Sequence, residues 1–124
     1  MITEYSYENV TIKQLCNCVK WSLNLLQMRD WQVDVYDSAR YPSDYGNTEM
    51  DIFTHKGVIW VNVPLCKKGN KNPYSTAIHE TIHIFLRYKL MEQELEDEYA
   101  IRALEPIIYR EFCRANKRKE AREC

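Results

Sequence analysis

Two histidines and a glutamate stand at helical spacing in the second half of the chain. His79, Glu80 and His83 form the pattern H-E-x-x-H, which is a zinc signature. Residues four apart lie on one face of a helix, so His79 and His83 can hold a single metal ion. Glu80, rotated to the side, can then address a water on that metal. The rest of the chain has to bury this helix beneath a pocket.

The context of the motif favours a metal site over a chance match. The neighbouring residues are all uncharged, as expected for a buried helix: Thr76, Ala77, Thr81, Ile82, Ile84 and Phe85. Two of the three histidines in the chain fall at this spacing. The alternative is a helix whose histidines only form hydrogen bonds within the core. A catalytic zinc usually has three protein ligands and a water, so a third ligand is needed.

Length, charge and cysteine content narrow the class of protein. A chain of 124 residues fits one domain, and it has neither an apolar run long enough to span a membrane nor a secretory signal pattern. The five cysteines are odd in number and include no C-x-x-C pair, which predicts free thiols in a reducing compartment. A net charge of -1 gives no general reason to expect a nucleic-acid partner.

The first half of the chain predicts a helix followed by three strands. Apolar residues recur every three to four positions over residues 11–28, the pattern of an amphipathic helix. Alternation over residues 31–37 predicts a strand with one buried face. Residues 38–47 are rich in turn formers and form a loop, which is either a plain connector or a rim that contacts substrate.

The next two strands, residues 48–54 and 58–63, are expected to pair antiparallel through a tight turn. We expect Gly57 to supply the positive φ that the turn needs. A second loop, residues 64–73, ends with Asn72 as a helix cap and Pro73 at the first position of the motif helix.

A last helix is predicted over residues 92–115, with a kink at Pro106. Its expected inward residues are Tyr99, Ala100, Ala103, Leu104, Ile107 and Ile108. Residues 1–9 and 117–124 are expected to be loose ends. The predicted fold is α+β, with an N-terminal helix, a small three-stranded and mostly antiparallel sheet, a buried H-E-x-x-H helix and a C-terminal helix.

The third metal ligand has to be a carboxylate, because no histidine follows His83. Leu86 and Lys89 stand where the longer metzincin motif has glycine and histidine, so that class is excluded. Acidic residues cluster at the start of the last helix: Glu92, Glu94, Glu96, Asp97 and Glu98. With the inward face centred on the expected apolar residues, Asp97 and Glu96 lie near it, and Glu94 and Glu98 point away. Most of these acids complement the helix dipole.

The chain resembles the zincin metallopeptidases over about residues 31–112, in particular the compact gluzincin-like group that includes phage-encoded peptidases and peptidases that cleave phage repressors. In that group an acidic residue of the next helix is the third ligand, with a small or branched apolar residue three positions later. Asp97 followed by Ala100 fits this spacing. The family residue is usually glutamate, which leaves Glu98 open if the register slips by one. The resemblance ranks Asp97 first, Glu98 second and Glu96 third.

The resemblance implies a Zn²⁺-dependent metallopeptidase in which Glu80 is the general base. We expect a peptide or protein substrate, bound by an edge strand of the hairpin, and neither a membrane nor a nucleic-acid partner. The expected location is the cytoplasm, which is the host cytoplasm if the protein is phage-encoded. The alternative function is a non-catalytic zincin-fold module that binds and regulates a protein without cutting it.

Overall fold

The computed structural model describes residues 10–37, 43–90 and 97–123, without the side chains of residues 90, 97–100 and 118–123. The described residues form four helices and three strands. The α+β class and the three strands are as the sequence predicts, and one of the helices was not expected. The elements are α1 (Ile12–Leu25), β1 (Gln32–Tyr36), β2 (Gly46–Asp51), β3 (Lys56–Val61), α2 (Val63–Lys68), α3 (Pro73–Leu90) and α4 (Asp97–Glu123). None of the helices in the described ranges combines the length and apolar character needed to span a bilayer.

Helix α1 begins at a reciprocal cap. The Thr11 hydroxyl accepts from the Gln14 amide at 3.2 Å, and the Gln14 side chain accepts from the Thr11 amide at 2.9 Å. The apolar stripe that predicts this helix is its buried face, with Leu15, Val19 and Leu23 in the core. The N-terminal residues 1–9 lie outside the described part of the chain.

The sheet has the order β1-β3-β2, so the last strand in sequence lies in the middle. The β2–β3 pair is antiparallel, as expected for the hairpin, and the β1–β3 pair is parallel. In the register of the sheet, Ile59 of β3 pairs with Val35 of β1 on one side and with Thr48 of β2 on the other. The face that carries Ile59 packs on the helices, and β2 is left as an edge strand next to α3.

Gly57 does not have the role that the sequence predicts. The turn between β2 and β3 covers residues 52–55, and the positive φ belongs to His55, at 54°. Gly57 is a strand residue, and a Cβ added to it would lie 3.2 Å from Cδ1 of Ile84 in α3. The glycine therefore allows the motif helix to approach the sheet closely.

Helix α2 lies where a loop was expected, because Asn62 caps it and proline occupies its first turn. Helix α3 begins as predicted at Pro73, with the Asn72 side chain accepting from the Tyr74 amide at 3.0 Å. It packs against α1, α4, β2 and β3 and is buried on several sides. The motif helix is therefore the centre of the domain.

Helix α4 buries only part of the face that was expected. Ile108 is in the core and Leu104 packs against it, as predicted, whereas Ala103 is exposed and Ile107 is 54% exposed. Ile101 and Phe112, which were not predicted, are in the core. The side chains of Tyr99 and Ala100 lie outside the described part of the chain. Pro106 lies inside the helix, which continues to Glu123 and so covers most of the stretch predicted to be a loose end.

The four cysteines in the described residues, Cys16, Cys18, Cys66 and Cys113, are free thiols, as the odd count predicts. Burial raises the pKa of the Cys18 thiol, which keeps it protonated and unreactive. Burial also raises the pKa of Cys66. These thiols act as small apolar groups in the core.

Candidate metal centre

The structure brings the three motif residues together on α3. Every pair of the ligand atoms offered by His79, Glu80 and His83 lies within 4.8 Å. The centroids of the two imidazole rings are 5.0 Å apart, with the ring planes at 67°. Both histidines are half-buried, while Glu80 is only 7% exposed. The helical spacing that the sequence predicts therefore produces one cluster of donor atoms.

This donor set fits a metal ion. A zinc ion takes imidazole nitrogens at about 2.0–2.1 Å and carboxylate oxygens at about 2.0–2.2 Å, so two ligands of one ion have donor atoms no more than about 4 Å apart. The donor atoms of the motif residues lie within 4.8 Å of one another, somewhat beyond this separation, and the two imidazoles are the candidate ligands among them. Nitrogen and oxygen ligands also suit other transition metals.

A carboxylate that the sequence analysis missed contacts the first histidine. Nδ1 of His79 lies 3.2 Å from Oε1 of Glu105 in α4, and each of the two side chains is 25% exposed. We assign the proton to Nδ1, because a carboxylate can only accept. That assignment leaves Nε2 of His79 as the nitrogen that can bind a metal.

The sequence did contain a signal for Glu105. Ile101, Ile108 and Phe112 form the buried stripe of α4, and position 105 lies on that stripe between them. A carboxylate in an otherwise apolar stripe indicates a specific partner. The signal was missed because the stripe was placed on the wrong face of the helix.

Strand β2 contacts Glu80, the carboxylate of the motif itself. The Thr48 hydroxyl donates to Oε1 of Glu80 at 2.7 Å. Two positions earlier, a Cβ on Gly46 would lie 2.7 Å from Cγ2 of Thr76 and 3.2 Å from Cγ of Glu80. Neither contact was predicted, because 32 positions separate Thr48 from Glu80 and sequence spacing carries no information on such a pair.

The candidate site opens onto a cavity of about 510 Å³ between β2, the first turns of α3 and α4. His79, Glu80 and Glu105 line it, together with the cations Lys71 and Arg102. A larger cavity of about 690 Å³ lies at the sheet and is lined by none of the motif residues. The smaller cavity is therefore the one that adjoins the candidate site.

The predicted third ligands lie at the start of α4. Asp97 and Glu98 are its first two residues, but their side chains are outside the described part of the chain, as is the whole of Glu96. Viewed down the axis of α4, positions 97 and 98 lie roughly 50° to either side of the centre of the observed buried stripe. Helix position therefore no longer separates Asp97 from Glu98. Glu98 lies about two turns before Glu105, on the same flank of α4.

Comparisons with known proteins add nothing to this geometry. No protein-family model matches the chain, and neither a curated protein nor a solved structure matches it. The resemblance to the zincins rests on the H-E-x-x-H motif and on the order of the elements around it.

Proposed function

We propose that this protein is a zinc-dependent metallopeptidase that hydrolyses peptide bonds in the cytoplasm, which is a host cytoplasm if the gene is of phage origin. The observation that carries the proposal is the convergence of His79, Glu80 and His83 on one side of a buried helix, next to a cavity. Motif histidines that only packed in the core would require neither a convergent carboxylate nor an open cavity.

The two histidines, with a carboxylate at the start of α4, would hold the zinc. When bound, the ion would polarise the scissile carbonyl and lower the pKa of a water toward about 7. Glu80 accepts a proton from the attacking water and transfers it to the leaving amine as the C–N bond breaks. Glu105 keeps the proton of His79 on Nδ1, which would leave Nε2 as the nitrogen that binds the zinc.

Strand β2 supports the proposal that the substrate is an extended peptide. It pairs with β3 along one side only among the described strands. Its residue Thr48 contacts Glu80, so a peptide that paired with the other side of β2 would run past the site. Main-chain hydrogen bonds between the peptide and β2 would provide affinity. The cavity residues Lys71 and Arg102 would contact the side chains of the substrate.

The test compares the native protein with Glu80→Gln, a variant of nearly the same shape that cannot accept the proton. Both proteins are analysed for bound zinc and incubated with a peptide library. We expect both to hold zinc and the variant to cleave at least about 100-fold more slowly. Glu111→Gln, which removes a carboxylate paired with Arg114 on α4, is the matched control and should cleave normally.

Equal behaviour of the native protein and Glu80→Gln would refute the peptidase proposal. If both then held zinc without cleaving, the result would support the non-catalytic binding module in its place.

A further inference from the structure

The Glu80 carboxylate is held by the sheet as well as by its own helix. Glu80 is nearly buried, and its Oε1 accepts a 2.7 Å hydrogen bond from the Thr48 hydroxyl. The same hydroxyl lies 3.4 Å from the Glu80 carbonyl oxygen. A carboxylate with one oxygen fixed has a fixed plane, so the direction of its second oxygen is set as well.

Thr48 is itself held in place by the register of the sheet. It pairs with Ile59 of β3, whose side chain is fully buried. Gly46, on the same face of β2, lets the strand lie against Thr76 and Glu80 where any side chain would collide. The Thr48 hydroxyl is therefore presented by a packed strand and not by a loop.

We propose that Thr48 is a positioning residue for Glu80: its hydroxyl orients the carboxylate so that the general base faces the attacking water. This inference rests on the proposed peptidase function. Strand β2 then has two roles, because the strand that aligns the substrate also holds the base. The distance between the scissile bond and Glu80 is set by one element of the fold.

A positioning role differs from a merely structural one in what it changes. A misplaced base slows the chemical step, and a displacement of about 1 Å can cost about 100-fold in rate. Substrate affinity and zinc binding do not depend on that orientation. Loss of a structural contact would instead lower stability and affect every measurement together.

The experiment uses Thr48→Val, which keeps the branched shape and removes the donor, and Thr48→Ser, which restores the donor. The full-length proteins are assayed for zinc content, for kcat and KM on a peptide that the native protein cleaves, and by crystallography of the zinc-loaded forms. Thr54→Val, at the exposed turn after β2, is the matched control.

We expect Thr48→Val to hold zinc, to lose about 10- to 100-fold in kcat, and to keep KM within about threefold. Thr48→Ser should return kcat to within about threefold of the native value, and Thr54→Val should not change it. In the crystals, the Glu80 carboxylate should be displaced or rotated in Thr48→Val and unchanged in Thr48→Ser.

The inference is overturned if Thr48→Val keeps the native kcat while Glu80→Gln is inactive, or if the valine and serine variants are equally slow. If the native protein cleaves nothing, the peptidase proposal fails separately, and the crystal structures still decide whether Thr48 orients Glu80. An unmoved carboxylate in Thr48→Val overturns the inference in that case too.

Discussion

Two histidines in this protein each contact a carboxylate, and only one of them belongs to a candidate metal centre. His79 contacts Glu105 beside the cavity, with a second imidazole and a second carboxylate close by. His55 donates from Nδ1 to Asp30 at the hairpin turn, and its ring stacks on Trp31 with centroids 5.0 Å apart. A histidine–carboxylate pair alone is therefore not evidence of a metal site. The feature that distinguishes His79 as a candidate ligand is the convergence of several donor atoms.

The surroundings of the two pairs explain their different roles. The ring of His55 also meets Tyr88 of α3 edge-on at 5.1 Å, so this histidine joins the turn to the end of the motif helix. His55 therefore packs between two aromatic rings although it lies in a turn. Asp30 is 66% exposed, whereas Glu105 is 25% exposed. The exposed pair is screened by water, and the less exposed pair can orient a ligand.

The largest effect should come from removing a motif histidine, with removal of His55 as the control. We expect His83→Ala to lose its bound zinc, because the metal then has a single imidazole. His55→Ala should keep the native zinc content, measured by elemental analysis of the purified proteins. Zinc retained in His83→Ala, or lost only in His55→Ala, would contradict the placement of the metal at the motif histidines.

The next largest effect concerns the carboxylate that completes the metal. Asp97→Ala and Glu98→Ala are compared by zinc titration, and one of them should lose most of its zinc. Helix position does not separate these two residues, and the resemblance ranks Asp97 first. We therefore expect the larger loss in Asp97→Ala, and a larger loss in Glu98→Ala would identify Glu98 as the ligand. Full zinc retention in both variants would move the ligand to Glu96 or away from the start of α4.

A smaller effect separates the two carboxylates of the histidine pairs. Glu105→Gln should weaken zinc binding by about 10- to 100-fold, because His79 loses the group that fixes its ring and tautomer. Asp30→Asn is the matched variant of the other pair, and competition with a chelator should give it the native affinity. Equal affinities in the two variants would show that Glu105 does not support the metal.

The smallest effect is on acid stability. The hydrogen bond from His55 lowers the pKa of the Asp30 carboxyl below its ordinary value of 3.8. The unfolded chain therefore binds a proton at Asp30 more readily than the folded protein does. The pair stabilises the fold above about pH 3.8, and this contribution is lost as the pH falls through the lowered pKa of Asp30 in the folded protein. Because an exposed ion pair contributes little, Asp30→Asn should lower the melting temperature by no more than about 1 to 3 °C at neutral pH, with the difference vanishing in strong acid. A difference that persists there would assign the effect to packing.

Local features of this protein were predictable from its sequence. The cap at Asn72, the start of α3 at Pro73 and the alignment of His79 with His83 depend on residues at most four positions apart. The buried face of α4 was predicted only in part. Ile107 and Ile108 were both expected to face inward, and the packing partner decides that Ile108 is buried and Ile107 is exposed.

The two contacts that hold the motif from outside could not be found by spacing. Thr48 and Glu105 lie 32 and 26 positions from the residues they contact. The reason for a glycine at position 57 is also non-local. The close approach of Ile84 requires it, and the turn does not.

The position of these two contacts along the chain has a consequence for synthesis of the protein. Translation produces Thr48 before the motif and Glu105 after it, in the last helix. A growing chain on the ribosome already carries H-E-x-x-H but lacks the carboxylate beside His79 until α4 emerges. The side chains proposed to hold and to support the metal can therefore come together only after α4 has been made.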